Sequence, residues 1–301
     1  MKKTIRILLI VATLLVLSGV ALVVGVLAKN DFDVNTLDTN FYEDKQKEIA
    51  EDFNMISIDV EISDIEFVKS DNETTKISYV ETKNMTYDIK VLDNTLMIES
   101  HNTSKWYNFF NFNYKRQVII VNLPKITYDS FIIKTNTGNI NVSGNVNDIN
   151  IKSDTGNVNL EGVNANDIDI LTATGRTTFK NVNVTNKIII KADTGRIELS
   201  KVNSNSLRVK TDTGRVKLEE VVVATTIYIN TSTGPVIFKG SDANELYIST
   251  STGSVSGSIL TNKIFRATSD TGRVNVPKTT TGGICEIETN TGNINITIGN
   301  D

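Results

Sequence analysis

A Thr-Gly dipeptide that returns every 18 to 20 residues is the feature that most restricts how this chain can fold. Self-similarity at a fixed period is typical of repeat architectures, in which each unit packs only against its neighbours. The repeat therefore predicts a stack of similar coils across residues 135–301. The nine glycines of the dipeptide are Gly138, Gly156, Gly175, Gly195, Gly214, Gly234, Gly253, Gly272 and Gly292.

Aliphatic residues flank most of the Thr-Gly corners with a period of two. In one repeat, Ile149 and Ile151 precede Gly156, and Val158 and Leu160 follow it. Alternate side chains of a strand point to the same face, so each coil should carry two strands that line a common interior. The predicted fold class is therefore all-β, a single-stranded parallel β-solenoid (a right-handed β-helix) of about nine coils of 19–20 residues.

The residues around each glycine suit a narrow bend. Three positions before the glycine the side chain is always small, and in four repeats an aspartate two positions before it can bond its own backbone. Glycine is expected because it adopts a positive φ without steric cost. We predict that all nine glycines are structural turn residues. The small residues are Thr135, Ser153, Thr172, Ala192, Thr211, Thr231, Thr250, Ser269 and Thr289, and the aspartates are Asp154, Asp193, Asp212 and Asp270.

Residues 53–134 lack the repeat but still alternate apolar and polar side chains. Their strand-like segments and the turn at Asp93-Asn94 predict hairpins that form an N-terminal antiparallel β cap on the solenoid. The other end has no predicted cap after the strand Asn293–Ile298. Because an uncovered strand edge can pair with another chain, weak end-to-end self-association is expected.

The N-terminus combines a basic leader, residues 1–6, with an uncharged apolar stretch, residues 7–28. A helix of that length spans roughly 33 Å, enough to cross a bilayer core. The basic leader favours a cytoplasmic N-terminus and an extracytoplasmic C-terminal domain. A signal peptide cleaved after Ala28, which would give a secreted protein, is the alternative; its apolar region would be long for that class. Residues 29–52 are predicted to be an extracytoplasmic linker, with a short helix possible over residues 40–52.

Composition excludes several function classes. The formal charge is −4, with 31 basic residues scattered among 35 acidic ones, which argues against a nucleic-acid partner. The chain has one histidine, His101, and one cysteine, Cys285, so we predict no metal site, no other cofactor and no internal disulfide. Cys285 is expected to be a small core residue. The carboxylates lie along a repeating edge rather than converging on a cleft, so no enzyme is predicted.

Four arginines follow their glycines directly: Arg176, Arg196, Arg215 and Arg273. The simpler interpretation is a solvated ladder in which the corner aspartates partner them. The alternative is a groove for an anionic glycopolymer, because guanidinium groups in line suit repeated anionic groups.

An aromatic cluster at residues 106–114 is the second candidate site. It includes Trp106, Tyr107, Phe109 and Phe110, with basic residues on both sides. Its rings either pack on the predicted cap or form an exposed tip that meets lipid headgroups or a partner protein.

Three short motifs precede the repeats in a fixed order. They are FNMISI at Phe53–Ile58, DNTLMI at Asp93–Ile98 and VNLPK at Val121–Lys125. With the repeated Ser/Thr-x-Thr-Gly-x-Ile/Val, their order resembles a bacterial candidate-adhesin domain of unknown function, a LiaG-like family, over roughly residues 53–301. The resemblance implies a surface β-solenoid, sometimes encoded beside envelope-stress regulators, with no established catalytic residues.

The expected function is a membrane-anchored, surface-exposed, non-catalytic binding or adhesion scaffold. Its partners would be the membrane, through the N-terminal helix, and an envelope glycopolymer or envelope protein. The alternative is a cell-envelope stress regulatory or accessory protein that acts through a membrane partner.

Overall fold

The structure is a computed structural model that describes residues 2–29, 32, 42–70, 73–103, 116–124 and 127–299. Within these residues it contains one helix and 18 strands. The elements are α1 (Lys2–Lys29), β1 (Tyr42–Ile49), β2 (Met55–Ile62), β3 (Asp64–Lys69), β4 (Thr75–Thr82), β5 (Met85–Leu92), β6 (Thr95–Asn102), β7 (Val118–Leu123), β8 (Thr127–Thr137), β9 (Ile140–Thr155), β10 (Val158–Thr213), β11 (Val216–Thr233), β12 (Val236–Lys239), β13 (Asp242–Thr252), β14 (Val255–Ile259), β15 (Lys263–Thr271), β16 (Val274–Asn275), β17 (Gly283–Thr291) and β18 (Ile294–Ile298).

Helix α1 is long and apolar enough to cross a membrane, a property that it shares with signal sequences. No part of its most apolar window is buried against the rest of the described chain. Its two mid-helix hydroxyl groups are paired inside the helix: Thr13 Oγ1 donates to the Leu9 carbonyl oxygen (2.8 Å) and Ser18 Oγ to the Leu15 carbonyl oxygen (2.9 Å). The helix therefore exposes few unpaired polar groups to an apolar solvent.

Strands β9 to β18 form what we call the repeat stack. Neighbouring rungs run parallel and in register, so that Ile168 lies opposite Ile149 and Ile227 lies opposite Leu207. These side chains are at most 2 % exposed. Because each aliphatic column continues from rung to rung, the repeats share one core that no single repeat could bury alone.

Asparagine ladders hold the outside of the stack. Asn164 Nδ2 donates to Asn145 Oδ1 (2.8 Å), Asn183 Nδ2 to Asn164 Oδ1 (3.2 Å) and Asn203 Nδ2 to Asn183 Oδ1 (2.9 Å). Such ladders form because parallel in-register rungs repeat the same position about every 4.8 Å, within reach of an amide.

Close approach between rungs is what all nine Thr-Gly glycines have in common. A Cβ on Gly156, where φ is +146°, would lie 1.9 Å from the Gly138 carbonyl oxygen. A Cβ on Gly195, whose φ is not in the positive region, would lie equally close to the Gly175 carbonyl oxygen, at 1.9 Å. The expectation that every corner glycine supplies a positive φ is therefore wrong at Gly195, Gly253 and Gly272, whereas the steric need for glycine applies at all nine positions.

At the C-terminal end the rungs do not stack in chain order. Strand β17 pairs in parallel with both β13 and β15, so it lies between them although it follows both in the chain. Strand β18 likewise pairs with β14 and β16. The prediction that the final strand presents a free edge is therefore wrong, because β15 and β16 form the outer rung.

Eight strands of the N-terminal region pair in a closed ring, in the order β2, β8, β9, β3, β7, β4, β5, β6 and back to β2. The β2–β8, β2–β6, β3–β7 and β3–β9 pairs are parallel, as is β8–β9. Only β4–β5, β4–β7 and β5–β6 are antiparallel in this ring. The N-terminal region is therefore a closed barrel, joined to the repeat stack through β8 and β9.

The predicted fold class is consequently wrong. The protein is not a single-stranded parallel β-helix of consecutive coils under an antiparallel β cap; it is an all-β fold with a closed eight-strand barrel, additional stacked strands and one N-terminal helix. The physical reason is that a period of two specifies which side chains face inward but not which strands pair.

The short helix considered for residues 40–52 is also wrong. Tyr42–Ile49 is strand β1, which pairs antiparallel with β4 from Tyr42 opposite Thr82 to Ile49 opposite Thr75. Strand β1 contains few apolar residues and shows no apolar–polar alternation. It forms because β4 offers an edge to pair with.

Candidate functional site

The arginine column is the set of side chains that directly follow the corner glycines on the repeat stack. Arg176, Arg196 and Arg215 lie in consecutive rungs and are exposed. Arg273 lies apart from them, on the outer rung beside Asn293. The structure thus brings three of the four predicted arginines together, spaced by about 4.8 Å per rung.

A shallow groove of about 640 Å³ runs beside this column. It is lined by Asn157, Asn159, Gly175, Arg176, Thr178, Lys180, Arg196 and Glu198. Three of these side chains are cationic and one is a carboxylate, so the groove has an excess of positive charge. Its remaining polar groups are amides and a hydroxyl, which can donate hydrogen bonds to an anionic ligand.

The single carboxylate in the groove neutralises only part of this charge. Glu198 Oε1 lies 3.6 Å from Arg196 Nε, and the two side chains are 30 % and 44 % exposed. An exposed pair at this separation contributes only about 0–1 kcal/mol. A stronger anion could therefore displace Glu198 from Arg196 at small cost.

The corner aspartates do not partner the arginine column. Within the described residues no ion pair joins Arg176, Arg196, Arg215 or Arg273 to any of them. The solvated Asp/Arg ladder of the simpler interpretation therefore does not form as direct pairs.

A chain of hydrogen bonds leads along the stack to Asn157 and Arg176, two of the residues that line the groove. Asp64 Oδ1 accepts from the Asn139 backbone N–H (2.5 Å), and Asn139 Oδ1 accepts from the Asn157 backbone N–H (3.0 Å). Asn157 Oδ1 in turn accepts from the Arg176 backbone N–H (3.0 Å). Arg116 Nε donates to the other oxygen of Asp64. The positions that follow the corner glycines are thus asparagines in the first two rungs, Asn139 and Asn157, and an arginine in the next, Arg176. The side-chain amides of the two asparagines accept hydrogen bonds from the backbone N–H of the next rung.

A pair of half-buried tyrosines on another face is a feature that the sequence interpretation missed. Tyr228 lies opposite Tyr247 on neighbouring rungs, and the Arg208 guanidinium carbon lies 4.6 Å from the Tyr228 ring centre. Tyr247 donates its hydroxyl to Glu245 Oε2 (3.1 Å), and this hydrogen bond, with burial, raises the pKa of Tyr247. The signal was the recurrence of Tyr at the same outward position of two successive repeats.

A buried ion pair lies among the C-terminal rungs. Lys263 Nζ is 2.8 Å from Asp242 Oδ1, and the two side chains are only 3 % and 7 % exposed. Thr261 Oγ1 also donates to Asp242 Oδ2 (2.6 Å), and the Ala243 backbone N–H donates to Asp242 Oδ1 (2.8 Å). The carboxylate is therefore fully partnered, and the pair bridges the two strands, β13 and β15, that flank β17.

Cys285 and the aromatic cluster complete the predicted residues. Cys285 is 1 % exposed, and burial raises the pKa of its thiol to about 12, so the thiolate is scarce at neutral pH. Trp106, Tyr107, Phe109 and Phe110 lie outside the described residues. Among the residues that the structure does describe, no group of three His, Cys, Asp or Glu side chains could hold a metal ion.

The chain matches the family model Toastrack DUF4097 twice, over residues 53–187 and 182–301. No curated protein matches it. Among solved structures, a candidate adhesin from Bacteroides fragilis is 13 % identical, with a TM-score of 0.47 over 85 % of this chain and 97 % of that one. A candidate adhesin from Parabacteroides distasonis is 15 % identical, with a TM-score of 0.45 over 83 % and 97 % of the two chains. A candidate lipid-binding protein from the same organism is 15 % identical, with a TM-score of 0.37 over 85 % and 97 %.

Proposed function

Because the chain belongs to the Toastrack DUF4097 family, whose model spans residues 53–301 in two overlapping matches, we propose that it is a membrane-anchored, non-catalytic scaffold that binds an anionic polymer of the cell envelope. The observation that carries the proposal is the groove beside the arginine column, with three cations against one carboxylate. Guanidinium groups bind phosphate and carboxylate through paired, charge-assisted hydrogen bonds.

The spacing of the column favours a polymer over a small anion. Consecutive rungs repeat every roughly 4.8 Å, so the arginines present cations at short, regular intervals along the stack. A chain with an anionic group in each unit can engage several of them at once, and each further contact is then intramolecular. Weak single contacts thereby sum to useful affinity.

A non-catalytic role is supported by the composition of the groove. Glu198 is the only carboxylate among the described residues that line it, and Arg196 lies beside that carboxylate. Hydrolysis of a glycan normally uses two carboxyl groups placed across the scissile bond. The groove therefore offers binding groups without an acid and base pair.

Anchoring by α1 would place the barrel and the repeat stack outside the cell. Lys2, Lys3 and Arg6 precede the apolar stretch, and such residues stay on the cytoplasmic side. Cleavage after Ala28 would instead release the domain. Intact mass spectrometry of the mature protein from the membrane fraction distinguishes the two, since a mass that includes residues 1–28 is expected, and a mature N-terminus at Lys29 would refute the anchor.

The binding proposal is tested with the full chain in detergent and purified anionic wall polymer. A single charge-assisted contact is worth about 1.5–3 kcal/mol, so losing one of them already weakens binding about tenfold or more. The triple variant Arg176→Gln, Arg196→Gln, Arg215→Gln should therefore bind the polymer at least about tenfold more weakly. The affinity of the unaltered protein should fall as salt is raised, because screening weakens exposed charges.

Arg273→Gln is a single-charge control, because Arg273 also follows a corner glycine but lies on the outer rung, outside the groove. It should leave polymer affinity unchanged, and a neutral polysaccharide of similar length should bind neither protein. Equal loss in the control and the triple variant, or no loss in the triple variant, would rule out the groove as the binding site.

A further inference from the structure

The outer rung of the repeat stack, formed by β15 and β16, has one neighbouring rung rather than two. Among the described residues β15 pairs only with β17, and β16 only with β18. Every rung further inside pairs on both sides, as β17 does with β13 and β15. The backbone N–H and C=O groups on the outer side of β15 therefore have no strand partner among the described residues of one copy.

Burial shows that this end of the core is open. Cys285 and Ile287 are 1 % and 0 % exposed on β17, whereas Phe265 and Ala267, which lie opposite them on β15, are only half-buried. On the other strand of the rung Val274 is 43 % exposed, while Ile294 beside it is 1 % exposed. Apolar side chains that a further rung would cover thus remain in contact with solvent.

The segment that follows β16 covers only the start of this edge by hydrogen bonding. Thr279 Oγ1 donates to the Lys263 carbonyl oxygen at the first residue of β15. In the described part of the chain no hydrogen bond from that segment reaches Arg266, Thr268 or Asp270. An exposed edge of this kind is a template for pairing with another chain.

We propose that β15 pairs antiparallel with β15 of a second copy, about a two-fold axis through Thr268. The charge pattern of the strand argues for this occupant. Arg266 and Asp270 are both exposed and stand equally far from Thr268 on the same face of the strand. A two-fold pairing therefore places each Arg266 opposite an Asp270 of the other copy, twice, and sets the two threonines face to face.

These cross-strand pairs are ones that antiparallel sheets favour. Directly opposed opposite charges and Thr–Thr pairs both stabilise neighbouring strands. The interface is isologous, so it closes after two copies and does not extend into a fibre. The pairing also gives cover to Phe265, which one copy leaves partly exposed.

The two-fold arrangement has a consequence that rests on the proposed membrane anchoring. Helix α1 precedes the barrel, and β15 lies at the opposite end of the repeat stack. Pairing through β15 therefore turns the two barrels, and the anchors before them, away from each other. Two copies would join apposed membranes rather than lie side by side in one.

The pairing is tested with the full chain incorporated singly into lipid nanodiscs and measured by sedimentation velocity. The unaltered protein should show concentration-dependent pairing of discs. Arg266→Asp and Asp270→Arg should each weaken self-pairing at least about tenfold, because each sets like charges opposite one another. An equimolar mixture of the two single variants should pair again, since each edge then faces its complement.

The triple variant Arg176→Gln, Arg196→Gln, Arg215→Gln serves as the control, because it also removes positive charge from the surface, but away from the β15 edge. It should pair like the unaltered protein even though it loses polymer binding, so failure of the two proposals can be told apart. Discs that stay single at every concentration, self-pairing that survives Arg266→Asp, or no recovery in the mixture would each overturn the edge pairing. Vesicles that carry a given variant should cluster only if nanodiscs that carry the same variant pair. Pairing of nanodiscs without clustering of vesicles would overturn the apposed-membrane geometry alone.

Discussion

At the barrel end of the molecule antiparallel strands pair with the last parallel rung, whereas at the other end no described strand pairs with the outer side of β15 and β16. Strand β5 covers β6 and strand β4 covers β7, and β1 then covers β4. Both ends nevertheless share one device. The first rung of the chain, β2, lies inside β6, and the last rung, β17, lies inside β15.

This comparison indicates how a stack of repeats can be ended in two ways. A rung inserted out of chain order has a strand partner on each side, so neither β2 nor β17 can fray alone. The barrel end adds the antiparallel strands β4, β5 and β1 to its last parallel rung. The open end uses a small inward side chain, Ala267, and a buried ion pair between Lys263 and Asp242. The first end thus carries antiparallel strands on its last parallel rung, whereas no described strand pairs with the outer side of β15.

The largest loss of stability is expected when a methyl group is added at a corner glycine inside the stack. The same change at the open end should cost less. In Gly214→Ala the new Cβ would lie 1.6 Å from the Gly195 carbonyl oxygen, and rungs on both sides prevent relief. We expect a loss above about 4 kcal/mol or failure to fold. Gly272→Ala meets the Gly292 carbonyl oxygen at 2.0 Å but lies on the outer rung, which can move.

Urea denaturation of both glycine variants measures the difference. Gly272→Ala should remain folded and lose clearly less free energy of unfolding than Gly214→Ala. Equal losses would mean that the outer rung is as tightly held as an inner one, which would contradict the contrast between a free and a covered end.

The second prediction compares two ion pairs of the same length at different depths. Lys263 to Asp242 and Lys134 to Asp59 both measure 2.8 Å, but the side chains of the second pair are 50 % and 55 % exposed. Asp242→Asn should cost about 3–5 kcal/mol, because it leaves Lys263 buried without a counter-charge. Asp59→Asn should cost at most about 1 kcal/mol.

Amide hydrogen exchange locates the damage as well as measuring it. In Asp242→Asn, protection should fall first in β15 and β17, while the barrel keeps its protection. A uniform loss over the whole chain, or an equal cost in the two variants, would show that the buried pair does not specifically hold the out-of-order rungs.

The third prediction compares a phenylalanine in the barrel with one at the open end. Phe131 is fully buried, and its ring centre lies 4.5 Å from that of Phe67. Phe131→Ala should destabilise the protein by about 3–5 kcal/mol through the lost transfer free energy and the cavity. Phe265→Ala should cost about 1 kcal/mol in a single copy, because Phe265 is already partly in solvent.

Protein concentration sharpens this third comparison. If β15 pairs between copies, the cost of Phe265→Ala should rise at concentrations where the protein pairs, whereas the cost of Phe131→Ala should not change. Thermal unfolding at several concentrations measures both. A cost for Phe265→Ala that matches Phe131→Ala in a single copy would mean that the end of the core is not open.

The sequence was informative about side-chain direction and poor at predicting which rung neighbours which. The columns through Ile149 and Ile168 were readable because alternation fixes which side chains point inward. The insertion of β17 between β13 and β15 was not readable, since every rung carries the same inward pattern and can stack on any other. The only local signal was Lys263, a charged residue at an inward position, which needed the partner that this order supplies.

The barrel and the groove show the same limit. Strands β2 and β8 pair although about 70 residues separate them in the chain, and no local pattern specifies such a pairing. The arginine column followed from the repeat alone, but the groove also needed Lys180 and Glu198, which become neighbours of Arg176 and Arg196 only after stacking. A sequence pattern thus predicts which residues stack in one column. The groove also depends on which columns become neighbours, which the pattern does not specify.

The smallest predicted effect on stability comes from removing one threonine hydroxyl group, either in the middle of the stack or in its C-terminal rungs. Thr211 and Thr289 occupy the same column and are 1 % and 3 % exposed, but only Thr289 Oγ1 has a described partner, the Gly253 carbonyl oxygen at 3.1 Å. Thr289→Val should therefore cost about 1 kcal/mol, the net value of a hydrogen bond. Thr211→Val should be neutral or slightly stabilising, because it replaces an unpaired buried hydroxyl with a methyl group. Guanidinium denaturation resolves a difference of this size, and a loss of stability in Thr211→Val would show that a bound water or a neighbouring carbonyl group satisfies that hydroxyl in solution.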